Sequence, residues 1–164
     1  MTDLRRLLKV EPLGRSQHLL FNLLEFRFFA SSERGKALFF GNPRVLMPLI
    51  TIPYILAAEI AYFRGRHFWV KMGMQKAGVL VLSARHGAVY VDTLAVSPSY
   101  RRLGIGLRML RWIEGVCRQM GEEWLEIATL KTNVPALRLY MGFGFCVFAE
   151  KKRSVILRKK VTIQ

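Results

Sequence analysis

Two arginines and two glycines stand in a six-residue run, Arg101-Arg-Leu-Gly-Ile-Gly106, that suits the holding of phosphate. The run follows an apolar stretch, Val89 to Val96, and a turn at Ser97-Pro98, and it opens an amphipathic segment. A helix that starts here presents main-chain N–H groups without partners and the positive end of its dipole. Gly104 and Gly106 allow a ligand to come close to that main chain, and Arg101 and Arg102 add charge beside it. The stretch from Val89 to Leu110 is therefore an anion cradle.

The elements that position this cradle follow from pattern. Residues 4–11 read as a strand closed by Pro12 and Gly14. Residues 15–30 carry Leu19, Leu20, Leu23, Leu24 and Phe28 at helical steps, with Ser16 as N-cap. His67–Met74, Gly78–Ala84 and Ala88–Val96 read as three strands of an antiparallel meander, turned at Gln75-Lys76 and at Arg85-His-Gly87. A helix is expected from Gly104 to Met120, with Leu103, Leu107, Leu110, Ile113, Cys117 and Met120 on its buried face and Gly121 past its end. Trp124–Leu130 is a strand, and the strand-helix-strand crossover makes it parallel to its neighbour. A short helix capped by Thr132 or Asn133 runs to Met141 and stops at Gly142. Phe143–Lys151 and Ser154–Val161 are the last strands. The expected class is α/β (α+β): a mixed sheet of six to seven strands, a meander followed by a parallel crossover, flanked by about four helices.

Composition bounds the partners. The chain has 164 residues, enough for one domain with its own core, and 52% of them are hydrophobic. The 26 Lys and Arg against 11 Asp and Glu give a net charge of +15, which points to an anionic partner: a phosphate-rich ligand, an anionic membrane surface or nucleic acid. The basic tail around Lys151–Arg153 and Arg158–Lys160 is interleaved with Val155, Ile156 and Leu157, the pattern of a strand with a solvated face and not of a nucleic-acid arm. Cys117 and Cys146 lack metal-ligand spacing, so no metal site is expected, and both read as small core residues. The start of the chain lacks the pattern of a secretory leader, and a cytoplasmic setting is expected. Residues 45–63 are apolar apart from Thr51 and Glu59 and long enough to span a bilayer. Pro48, Pro53 and Glu59 argue instead for a helix packed on a core, with membrane contact as the lesser reading.

Two motifs in order carry a family resemblance. Arg101-Arg-Leu-Gly-Ile-Gly106, after the strand that ends at Leu94-Ala-Val-Ser-Pro98, resembles the signature of the GNAT superfamily of N-acyltransferases. Asn133-Val-Pro-Ala-Leu-Arg-Leu-Tyr140, followed by Gly142-Phe-Gly-Phe145, resembles that family's second motif. The resemblance covers 68–148 and leaves the first 60 residues without a signature. It implies acetyl-CoA, or another acyl-CoA, in a cleft where the central parallel strands part. By that resemblance Leu94, Ala95 and Val96 hold the pantetheine arm through their main chain. Arg101, Arg102, Leu103, Gly104, Ile105, Gly106 and Leu107 hold the pyrophosphate. Asn133 contacts the cofactor arm and Tyr140 sits by the thioester sulfur.

Acyl transfer to an amine needs a proton acceptor for the amine, a donor for the oxyanion and a proton for the leaving thiolate. Tyr140 is the candidate acid and Glu126 the candidate base, with Asp92 as the second carboxylate and ordered water as the alternative to both. The expected unit is one domain: an acceptor-side strand and helices at 1–66, an acyl-CoA-binding core at 67–150 and a C-terminal strand at 151–164. The expected acceptor is an amine-bearing small molecule or peptide, and a homodimer is compatible with the sequence. The alternative from another class is a non-catalytic acyl-CoA-binding or regulatory module on the same fold. Nucleic-acid binding rests on net charge alone and is disfavoured.

Overall fold

The structure, a computed structural model, describes residues 8–14, 65–85 and 87–162. The helix expected at 15–30 and the apolar stretch 45–63 lie outside the described residues. Among the described residues seven strands form one sheet: β1 (Leu8–Pro12), β2 (Arg66–Met72), β3 (Gln75–Arg85), β4 (Ala88–Val96), β5 (Trp124–Leu130), β6 (Cys146–Glu150) and β7 (Ser154–Lys160). Their order is β1-β2-β3-β4-β5-β7-β6. All neighbours are antiparallel except β4 and β5, which are joined by helix α1 (Ile105–Gln119) and run parallel. Helix α2 (Val134–Gly142) links β5 to β6. The described residues thus carry two of the about four helices expected, and none of their helices is long and apolar enough to cross a membrane.

The meander is built by its alternation and its turns. Gly73 (φ +59°) turns β2 into β3, so the turn falls at Gly73-Met74 and not at Gln75-Lys76, which open β3. Only glycine takes that conformation without cost. Gly87 (φ +77°) serves the β3–β4 turn.

One register shift organises the sheet. Val81 pairs with Thr93 but Leu82 pairs with Val91, which leaves Asp92 as the extra residue of a β-bulge. The bulge changes the phase of β4. Val89 and Val91 before it, and Leu94 and Val96 after it, share the α1 face of the sheet, while Ala95 packs with Trp69 and Val79 on the other.

On the α1 face, Leu80, Leu82, Leu125, Ile127, Val155 and Leu157 meet Ile105, Met109, Leu110, Ile113 and Cys117 of α1. Trp112 of α1 packs edge-on against Phe68 of β2, with ring centroids 5.1 Å apart. The buried stripe of α1 therefore differs from the expected one. Leu103 (47% exposed) and Met120 (40% exposed) lie outside it, because Gly104 caps the helix in the left-handed region and Leu103 belongs to the loop. Helix α2 runs through Gly142, and the left-handed residue that ends it is Gly144 (φ +95°). Cys117 is buried as expected, but Cys146 is exposed on the edge strand.

Candidate active site

The pairing of β4 with β5 covers only four residues, from Ala88↔Trp124 to Val91↔Ile127. Beyond that point each strand keeps its outer neighbour: β4 stays on β3 to Val96, and β5 stays on β7 to Leu130. The two central strands part at Asp92 and form a fork, with the bulge at its base. Asp92, at this point, is an exposed residue whose side chain is 26% exposed.

Leu94, Ala95 and Val96 form one wall of the fork. The Ser97 N–H donates to the Ala77 carbonyl at 2.8 Å, so this N–H points at β3. Strand alternation then turns the main chain of Ala95 to β3 and those of Leu94 and Val96 to the open edge. Gly78 confirms that alternation, since a Cβ on it would lie 2.5 Å from the Ala95 carbonyl oxygen. Of the three, Leu94 and Val96 turn main-chain groups to the open edge, and Ala95 is committed to the sheet.

The loop from Val96 to α1 is held in two ways. Arg101 Nε donates to the Val96 carbonyl at 3.1 Å. Arg102 (φ 61°) and Gly104 (φ 74°) both take left-handed conformations, the kind of alternation that turns successive N–H groups to one side. The Arg108 N–H donates to the Gly104 carbonyl at 3.2 Å. Among the described residues, no protein acceptor takes the main-chain N–H of Arg102, Leu103, Gly104, Ile105, Gly106 or Leu107. Six donors in a row at the start of a 15-residue helix make a strong anion site. Gly106 has a packing role as well: a Cβ there would lie 2.9 Å from Leu139 Cδ2, so the glycine lets α2 close on the N-terminal turn of α1.

Helix α2 brings Asn133 and Tyr140. Asn133 occupies the N-cap position without a side-chain capping bond. Its Nδ2 donates to Thr129 Oγ1 at 3.2 Å instead, which anchors the amide to β5. Tyr140 is 6% exposed and belongs to the same buried cluster as Ile105, Val91 and Ile127, the residues at the start of α1 and the base of the fork. Burial pushes its phenol up to about 12.

Both candidate bases are tied to arginines. Arg85 Nη2 lies 2.6 Å from Asp92 Oδ1, and its guanidinium stacks on the Tyr90 ring at 4.2 Å. Tyr90 itself is raised above its ordinary value, first by burial and then by the carboxylates of Asp92 and Glu126, with Arg85 opposing. Glu126 lies opposite Tyr90 on β4 and Arg158 on β7. Arg158 Nε donates to Glu126 Oε1 at 2.6 Å, and Arg158 Nη2 reaches the same oxygen. Sequence reasoning places Arg158 on a solvated tail; it is half-buried against the fork. Arg85 was equally missed. Neither pair is visible without the cross-strand register, although an Arg on a strand of alternating apolar residues is a weak sign of a partner on the next strand.

Comparison with known proteins identifies the family. Residues 45–145 match the Acetyltransferase (GNAT) family, and the chain belongs to it. Acetyl transferase GW6a of Oryza sativa subsp. japonica is 45% identical over 56 residues, which are 34% of this chain and 13% of that protein. The chain therefore spans a small part of this relative. The PaiA N-acetyltransferase of Thermoplasma acidophilum, solved in complex with coenzyme A, superposes with a TM-score of 0.73 at 14% identity, covering 93% of this chain and 98% of that one. The ribosomal-protein-S18-alanine N-acetyltransferase of Escherichia coli superposes with a TM-score of 0.69 at 16% identity, covering 96% of each chain. At those identities the likeness is one of fold.

Proposed function

We propose that this chain transfers an acetyl group from acetyl-CoA to an amine by direct attack. The observation that carries the reading is the run of six N–H groups at Arg102–Leu107 that meet no acceptor among the described residues, set beside the fork between β4 and β5. A pyrophosphate supplies the acceptors that this loop lacks. The open edge of β4 offers the Leu94 main chain and the Val96 N–H to an amide-bearing arm, and Asn133, at the N-cap of α2, is the candidate side-chain contact. Coenzyme A bound to a neighbour of this fold supports the same ligand.

The transfer forms a C–N bond and breaks a C–S bond. The amine attacks as a neutral group, and its proton passes to Glu126 or to an ordered water. The main-chain N–H groups on the open edge of β4 stabilise the oxyanion. Tyr140 then protonates the leaving thiolate. A phenol raised to about 12 stays protonated at neutral pH and keeps that proton available. Asp92 is the second candidate base, and its pairing with Arg85 holds its carboxylate at the bulge. The acceptor is an amine on a small molecule or peptide.

Calorimetric titration with acetyl-CoA, followed by thiol release across a panel of amines, peptides and aminoglycosides, tests the proposal. Binding with turnover on at least one acceptor is expected. Binding with no turnover on any acceptor would favour the non-catalytic module, and no binding would overturn both.

A further inference from the structure

Arg158 is more tightly arranged than a surface ion pair requires. It comes from β7, directly opposite Glu126 on β5 and Cys146 on β6. Its guanidinium lies 3.9 Å from the Phe148 ring centroid and 5.1 Å from that of Trp124. Two rings, from β6 and β5, thus flank the cation, a placement that suits the flat, weakly hydrated guanidinium better than an ammonium. Phe148 is 55% exposed at a register shift between β6 and β7, where Val147 pairs with Leu157 and Ala149 with Ile156. A large apolar residue held there in solvent calls for a reason, and stacking on Arg158 supplies one.

The pairing is also lopsided. The usual strong arrangement gives both carboxylate oxygens to the guanidinium fork. Here Nε and Nη2 both reach Oε1 of Glu126, and no partner among the described residues meets Oε2. The Glu126 side chain is 15% exposed and that of Arg158 is 28% exposed, so the pair is shielded. Glu126 sits one residue before the last β4–β5 pair, at the base of the fork. Its side chain leaves the sheet on the face opposite its neighbours Leu125 and Ile127, which pack against α1.

We infer that Arg158, clamped between Trp124 and Phe148, is a positioning residue that fixes Glu126 by one oxygen and presents the other to the reacting amine. The inference rests on the reading of Glu126 as the base. In this role Arg158 acts through Glu126 and not on substrate or cofactor; it removes the rotamer freedom that the Glu126 side chain would otherwise keep. Phe148 acts one step further out, through Arg158.

The test is steady-state thiol release from acetyl-CoA, with a pool of free-N-terminus tetrapeptides as acceptor and water as the background acceptor. Arg158→Met, Arg158→Lys, Phe148→Leu, Glu126→Gln and the double variant R158M/F148L are compared, each with its melting temperature and its acetyl-CoA Kd. R158M is expected to lower kcat by about ten- to a hundredfold, since misplacing a reacting group by about 1 Å costs on that order. The KM and Kd for acetyl-CoA stay within about twofold, since positioning acts on the chemical step and not on cofactor binding. R158K recovers part of the loss, F148L alone loses a few-fold, and F148L adds nothing in the R158M background. An unchanged kcat in R158M, or additive losses in the double variant, would overturn the inference. E126Q separates the two levels. If it keeps full kcat, Glu126 is not the base and the inference falls with that reading. If E126Q is slow and R158M is not, the base reading stands and the positioning role is wrong. Wild-type thiol release no faster than the uncatalysed rate with these tetrapeptides and with every other amine and aminoglycoside of the panel above overturns both.

Discussion

Gly78 and Gly115 put the fold's geometry to a test of sign. A Cβ on Gly78 would lie 2.5 Å from the Ala95 carbonyl oxygen, a backbone atom that cannot rotate away. Gly78→Ala must therefore push β3 from β4. Overpacking of this kind costs up to about 3 kcal/mol. The reduced entropy of the unfolded chain returns about 1 kcal/mol. The net loss is about 2 kcal/mol, a fall in Tm of roughly 4–8 °C for a chain of this size. The same substitution at Gly115, in the middle of α1 with nothing within 4 Å of a new Cβ, should instead raise stability by about 0.5–1 kcal/mol. Functionally, the displaced carbonyl of Ala95 carries Leu94 and Val96 with it. Loss of one main-chain bond to the ligand would weaken acetyl-CoA binding about fivefold. Urea melts and calorimetric titration of the two variants measure both effects. A G78A protein as stable as wild type with unchanged acetyl-CoA affinity would refute the reasoning, as would a destabilised G115A.

Tyr140→Phe should fold normally and keep acetyl-CoA binding while losing about a hundredfold in turnover, read as thiol release; unchanged turnover would remove Tyr140 as acid. The same residue carries a pH signature. Its pKa is raised on folding from 10.0 to about 12, so its contribution is full below pH 10 and is lost as pH rises through 12. That loss is on the order of 3 kcal/mol, and Y140F should flatten it in urea melts taken across pH 9–12. Cys146 is exposed, while Cys117 is buried and pushed up to about 11 by that burial. Iodoacetamide on the native protein should therefore modify Cys146 and leave Cys117 until unfolding, as peptide mass spectrometry would show. Arg101→Ala removes the tie to the Val96 carbonyl and a charge at the cradle, and should weaken acetyl-CoA binding about tenfold, measured by titration at low salt.

Much of the core was legible because local and global signals agree there. Ala88–Val96 and Trp124–Leu130 are strands with the bounds expected of them, being short apolar runs closed by turn residues. The crossover between them fixes the one parallel pair among the described residues. The errors lie where neighbouring residues offer equal signals. Gly142 and Gly144 both suit a helix end, and only the left-handed φ of Gly144 decides between them. Leu103 fits the helical period, but the left-handed Gly104 that follows it places it in the loop. The bulge at Asp92 has no local signature, since Val-Asp-Thr-Leu reads as continuous strand, yet it sets the phase of Leu94–Val96 and lies where the fork opens. The pairs Glu126–Arg158 and Asp92–Arg85 depend on register across strands, which composition and periodicity do not encode.

The cradle at Arg102–Leu107 is tested most directly by amide NMR during a titration with coenzyme A. The six N–H groups that meet no acceptor among the described residues should move downfield together and shift more than amides elsewhere in the sheet, at a midpoint matching the calorimetric Kd. Binding that leaves these six resonances in place, or shifts concentrated on a different surface, would contradict the assignment of this loop as the phosphate site.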